Sequence, residues 1–207
     1  MKSEKVSCCA LLMLFFMLFV ITSCRSVVGL KYGMKPPGEE SPESLISFLK
    51  KNSFPANHQF LFKDSTGYYE ALRNPQFRKN FLSHMIFDRE GGLLYRDTIK
   101  CQWAGADFIR SLDRDSSYMK TEGLVLSQVF SRIKPIELHS GSDDQEINPD
   151  FTMVITWAKF LGKYNYRLFD LTAAVAENKG AIIRLIYLNI DMQKSWNIPE
   201  KHKISIK

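Results

Sequence analysis

The pattern over residues 151–190 constrains this 207-residue chain more than any other stretch. Phe151 to Trp157 is apolar and β-branched. Tyr164, Leu168, Leu171, Thr172 and Val175 recur at helical spacing, and Ile182 to Ile190 is almost continuously apolar. An unbroken apolar run suits a strand covered on both faces, whereas a 3.6-residue period suits a helix with one inward face. Strand, helix and strand in that order predict a C-terminal βαβ unit whose last strand is central and parallel and whose crossover is right-handed. The fold class expected is therefore α/β.

Earlier elements follow from local signals. Ser41 is placed as an N-cap with Pro42 at the first helical position and Glu43 in the first turn, and Leu45, Ile46, Phe48 and Leu49 share a face. Asn52 and Pro55 end that helix. His58 to Lys63 reads as a strand, and Asp64-Ser65-Thr66 caps a helix through Leu72 that Asn74-Pro75 breaks or restarts. His84 to Phe87 and Leu93 to Arg96 flank a Gly-bearing turn and predict a hairpin. Trp103 to Leu112 reads as a helix with Phe108, Ile109 and Leu112 inward, and residues 139–150 read as a polar, acidic loop. No internal repeat imposes a solenoid.

The N-terminus carries an address. Lys2 and Lys5 precede an apolar run from Val6 to Ile21, and Ile21-Thr22-Ser23-Cys24 follows. Basic, apolar and small-residue regions in this order describe an export signal, and about 16 apolar residues fall short of the roughly 20 that span a bilayer. The Ile-Thr-Ser-Cys ending resembles the lipobox of bacterial lipoproteins. That resemblance implies cleavage before Cys24, lipid attachment at Cys24 and a palmitate-bearing anchor in the cell envelope, facing the periplasm, with the outer membrane among its destinations. Arg25 does not fix the membrane or leaflet. The expected division is a signal peptide at 1–23, a flexible tether at 24–42, rich in Gly and Pro, and one domain at 43–207.

Loss of residues 1–23 removes Lys2, Lys5 and Glu4 and leaves 184 residues with 26 basic and 21 acidic side chains. This modest excess is compatible with anionic headgroups. No basic cluster interleaved with aromatics argues for nucleic acid. Cys8 and Cys9 depart with the signal and Cys24 takes the lipid, so Cys101 has no partner for an intramolecular disulfide.

Residues 151–191 carry a second resemblance. Met153-Val154-Ile155-Thr156-Trp157-Ala158-Lys159-Phe160-Leu161-Gly162-Lys163-Tyr164-Asn165, then a helix and Ile186-Tyr187-Leu188-Asn189-Ile190-Asp191, resemble the central segment of thioredoxin-like proteins. There an apolar strand, Trp-Ala, an aromatic, Cys-Gly-Pro-Cys, a helix and a strand ending near Asn-Ile-Asp follow one another. The resemblance implies a thioredoxin-like mixed sheet flanked by helices. Leu161, Lys163 and Tyr164 stand in the first cysteine, proline and second cysteine slots. Dithiol exchange needs an attacking thiolate and a resolving thiol, so the implied domain is redox-silent at this place. The hairpin and helix of residues 84–112 resemble the family's C-terminal hairpin and helix but precede the βαβ unit, which implies a circular permutation or a different N-terminal layer. The proline before the family's hairpin has no counterpart at Leu82-Ser83-His84.

The remaining chemistry is sparse. Cys101 beside Trp103 is a low-ranking reactive thiol, because a free cysteine more often serves as a small buried hydrophobe. Asp144, Glu146, Asn148 and Asp150 begin like a calcium loop but lack its turn glycine and closing glutamate, with Ile155 at the twelfth position. His58, His84, His139 and His202 form no close metal-ligand pair, and neither metal nor cofactor is expected. The expected function is a lipid-anchored, non-enzymatic envelope module that binds a protein or peptide. Phe160, Lys163 and Tyr164 form the candidate binding face. Alternatives are a single-thiol oxidoreductase using Cys101 and a structural or assembly subunit of the envelope; oligomeric state stays open. Changing Cys24 to Ala should abolish fatty-acid labelling and leave unprocessed precursor, as read by metabolic labelling and intact mass; a mature wild-type N-terminus without acyl mass would refute the anchor.

Overall fold

In the computed structural model, which describes residues 31–95, 103–136 and 148–199, the expected elements assemble around the two apolar runs. From residue 39 the described elements run β1 (Glu39–Glu40), α1 (Pro42–Lys51), β2 (Gln59–Phe62), α2 (Ser65–Arg73) and α3 (Pro75–Asn80). The chain continues with β3 (His84–Asp88), β4 (Gly92–Leu94), α4 (Trp103–Arg110), β5 (Lys120–Val125), α5 (Leu126–Phe130) and β6 (Ile133–Pro135). The last part holds β7 (Phe151–Trp157), a 3₁₀ segment (Lys159–Tyr166), α6 (Arg167–Glu177), β8 (Ile183–Asn189) and β9 (Met192–Gln193).

Seven strands form one mixed sheet in the order β5-β4-β3-β7-β8-β2-β6. β7 pairs in parallel with β8 from Phe151↔Ile183 to Trp157↔Asn189, and β8 pairs in parallel with β2. The hairpin β3–β4 lies antiparallel to β7 on its other side. All seven residues of β7 are buried, which is the physical reason that no polar alternation interrupts it. One face of the sheet packs Leu45 and Leu49 of α1, Ile109 of α4 and Leu168 and Leu171 of α6 against Ile155, Trp157 and Tyr187. The other face packs Tyr68 and Ala71 of α2, Phe77 of α3 and Val129 of α5 against Phe87, Val154, Ile186 and Leu188. The result is an α/β protein with helices on both sides of a mixed sheet.

The local signals act through identifiable bonds. The Ser41 hydroxyl accepts the Ser44 N–H at 3.3 Å with Pro42 at the first helical position. Asp64 accepts the Gly67 N–H at 2.8 Å and opens α2. Asn74 ends α2 and caps α3, accepting the N–H groups of Gln76 and Phe77 at 2.9 and 3.1 Å, so Asn74-Pro75 restarts the helix rather than merely stopping it. In the hairpin, Asp88 accepts the Gly92 N–H at 2.7 Å and Gly91 takes φ 82°.

Three departures from the sequence reading are informative. Residues 31–42, read as part of a tether, are packed: β1 pairs in parallel with β9, and the Lys35 N–H donates to Phe160 O at 2.8 Å. Two-residue pairing leaves no periodicity to detect. The helix expected from Tyr164 begins instead at Arg167, because the segment before it is 3₁₀ and kinks at Gly162. Residues 120–135, to which no element was assigned, supply β5, α5 and β6; β5 is an edge strand with Leu124 as its one buried residue, so its pattern is mostly polar.

Leu188, fully buried in β8, should cost about 2–5 kcal/mol when changed to Ala, whereas Met119→Ala, 74% exposed, should stay within about 0.5 kcal/mol. Urea unfolding of the two variants checks this; equal midpoints would contradict the central place of β8.

Candidate functional site

At Trp157 the chain leaves the sheet, and its backbone must be satisfied without a strand partner. Asn165 does this from inside the loop. Its side chain is fully buried; Nδ2 donates to Ala158 O at 2.7 Å and Gly162 O at 3.1 Å, and Oδ1 accepts the Ala158 N–H at 3.3 Å. Gly162 sits at φ 53°, and a Cβ there would lie 2.4 Å from Tyr32 O and 2.6 Å from Gly33 O. Only glycine allows both the turn and the approach of the N-terminal segment. That segment is further held by Tyr32, edge-on to Tyr164 with ring centroids 5.6 Å apart.

Arg167, the first residue of α6, ties the loop to the start of the hairpin. Its guanidinium donates to Leu82 O and, at 2.8 Å, to Thr156 O, and lies 4.3 Å from the centre of the Tyr164 ring. Burial pulls its pKa below the ordinary arginine value, although the group stays cationic. The Thr156 hydroxyl donates to Ser83 O at 2.9 Å, which fixes the adjoining carbonyl. Between these parts lies a cleft of about 610 Å³ at the C-terminal end of β7, lined by Lys163, Tyr164, Tyr166 and Arg167 from the loop and helix. Lys31 and Tyr32 line it from the N-terminal segment, and Ser83 and His84 from the hairpin.

The candidate face is thus brought to a cleft in part. Lys163 is exposed and Tyr164 half-buried, and both line it. Phe160 is 6% exposed and packs into the core, so it supports the loop and offers no surface. Leu161, in the first cysteine slot, is 1% exposed. Cys24, Cys101, His139, His202, Asp144 and Glu146 lie outside the described residues. Asp150 serves structure: it accepts the Ile182 N–H at 2.8 Å and pairs with Arg89, and the Ile182 bond, followed by Arg89, holds its carboxyl below the usual range. Among the described residues no group of three His, Cys, Asp or Glu side chains is placed to hold a metal ion.

Sequence reading missed Lys31, Tyr32 and Arg167 because none belongs to a periodic pattern. Gly162 inside a strand-to-helix connection was the available signal, since a glycine there marks a positive φ or a close backbone approach.

A buried polar group lies behind the loop. Asp191 is 2% exposed; its Oδ2 accepts from the Lys159 N–H at 2.7 Å and Asn189 Nδ2 at 2.8 Å, while Oδ1 accepts no hydrogen bond. The Lys159 ammonium reaches away to Glu40 Oε2 and Ser44 Oγ, both at 2.6 Å. Burial pushes the Asp191 carboxyl up to about 6; Glu40 adds to the rise, and the bonds from Asn189 and Lys159 oppose it.

Comparison with protein-family models, curated proteins and solved structures finds no match.

Because the folded carboxyl of Asp191 holds its proton more tightly than the ordinary value of 3.8, its stabilising contribution is present below about pH 4 and lost as pH rises through about 6. Relative to Asp191→Asn, the wild type should lose roughly 2 kcal/mol between pH 4 and 7. Urea midpoints of both proteins at several pH values test this, and a constant difference would refute it.

Proposed function

We propose that this chain is a lipid-anchored protein of the bacterial cell envelope whose domain is thioredoxin-like, circularly permuted and redox-silent, and that it binds a protein or peptide partner. The observation that carries the binding reading is the cleft of about 610 Å³ at the C-terminal end of β7, with Lys163 and Tyr164 on its lining. Ligands of open α/β sheets favour that edge. Two features support the thioredoxin-like reading. The hairpin β3–β4 adjoins the βαβ unit by pairing with β7, and α4 packs beside α6 with Arg110 bound to Glu177 at 2.6 Å. The two pieces that resemble the family therefore lie together although their chain order is reversed. Lipid anchoring rests on residues 2–24 alone, and among the described residues no helix is long and apolar enough to cross a membrane.

Redox silence follows from Leu161 and Tyr164 in the cysteine slots, since neither side chain forms a disulfide. Lys163 and the tyrosines offer a cation and aromatic faces instead, which suit recognition.

Tyr164 packs under Arg167, so the cleaner test uses exposed lining residues. Lys163→Glu combined with Tyr166→Ala should lower partner capture from native membranes at least tenfold, by quantitative mass spectrometry of pulldowns, with the thermal midpoint within about 2 °C of wild type. Unchanged capture by the stable double variant would place the binding face elsewhere. Cys101→Ser should leave capture and biological activity intact; loss of activity with an unchanged fold would move the function to that thiol.

A further inference from the structure

Resting on the anchored, peptide-binding reading above, we infer that the cleft takes an acidic peptide segment presented at the membrane surface to which this protein is itself tethered. The lining carries the cations Lys31, Lys163 and Arg167 against the single carboxylate of Asp170, and Lys31 and Lys163 are exposed. Tyr32, Tyr164 and Tyr166 add apolar ring surface to the same lining, with Lys31 5.6 Å from the centre of the Tyr32 ring. A volume of about 610 Å³ falls within the roughly 300–1,000 Å³ of pockets that enclose a small ligand, which fits a few side chains of an extended segment and not a flat bilayer. Arg167 spends donors on Leu82 O and Thr156 O and acts as fixed positive charge, while Lys163 and Lys31 reach the occupant. Carboxylates complement that lining, and aromatic neighbours complement the tyrosines.

The place of the cleft follows from chain length. Lys31 lines it, and Cys24 lies seven residues upstream. Even fully extended, seven residues span at most roughly 25 Å, less than the approximately 40 Å breadth of a domain this size. The N-terminal segment cannot simply swing away, because Lys35 bonds to Phe160, Tyr32 packs on Tyr164 and Gly162 seats against Tyr32 and Gly33. A lipid on Cys24 therefore keeps this pole of the domain toward the bilayer. An occupant must be available there, as an acidic stretch of a membrane-bound protein is, and confinement to the same surface raises its effective concentration.

The test uses the full-length acylated protein in phosphatidylcholine vesicles. The probes are two N-palmitoylated peptides, one carrying Asp-Phe-Glu repeats and the other Lys-Phe-Lys repeats. Binding is read by fluorescence titration, and its place by amide exchange over residues 159–167. The acidic probe should bind at least tenfold tighter than the basic one and slow exchange in that segment. Lys31→Glu with Lys163→Glu, at an unchanged thermal midpoint, should reverse the preference. An acylated wild-type protein indifferent to probe charge would overturn the inference and leave the anchored reading standing. So would equal protection of residues 159–167 by phosphatidylglycerol vesicles without peptide, which would mark the cleft as a headgroup site. Absence of acyl mass on Cys24 would overturn the anchored reading, and the membrane placement with it.

Discussion

The parallel pairing of β7 with β8 is the constraint on which the rest depends. β7 loses water on both faces along its whole length and β8 does so over Ile186, Tyr187, Leu188 and Asn189, so apolar side chains dominate these stretches and the helices are placed by the need to cover them. α1, α4 and α6 cover one face and α2, α3 and α5 the other. The hairpin completes β7 on one side and β2 completes β8 on the other. A polar substitution in the middle of β7 would leave an unpaired group with no route to solvent.

The same pairing creates a difficulty at its C-terminal end, where backbone groups run out of strand partners in a buried place. Here the chain concentrates its buried polar side chains. Asn165 satisfies Ala158, Asp191 satisfies Lys159, and Arg167 and Thr156 satisfy carbonyls at the start of the hairpin. These bonds hold the loop over the sheet edge as a shaped wall. The cleft is a consequence of how the strand ends are satisfied, which is why its lining comes from a loop, a helix start, a hairpin start and the N-terminal segment together.

What was legible in the sequence follows the same physics. Long buried strands and capped helices announce themselves, because burial dictates composition and caps need particular oxygens; Ser41 and Asp64 perform the caps read for them, and Asn74, read with Pro75 as a break or restart, caps the helix that follows. The edge strand β5 and the two-residue ladder β1–β9 stayed hidden, since neither needs a periodic apolar face. Lys163 and Tyr164 were legible as a pair at a strand-to-helix connection. Their neighbours Lys31 and Arg167 were not, because their meeting depends on the close approach that Gly162 permits and no local pattern encodes it. Phe160 misled for a related reason: an aromatic residue in a connecting loop reads as exposed, but this loop folds back on the sheet and buries it.

On the thioredoxin-like reading, the burial of Leu161 says more than the absence of a cysteine. Leu161 is 1% exposed and packed with the core, so the position that this reading matches to the first cysteine holds a buried aliphatic side chain. A thiol at that depth would resist ionisation, because burial disfavours the thiolate. The second position is closed by packing of another kind, with Tyr164 held between Arg167 and Tyr32. Restoring two cysteines would remove an apolar core contact and a cation–aromatic stack while leaving the first sulfur inaccessible. At this edge of the sheet the loop stands as a supporting wall, and what it exposes along the cleft are the charges and rings of Lys163, Tyr164 and Tyr166.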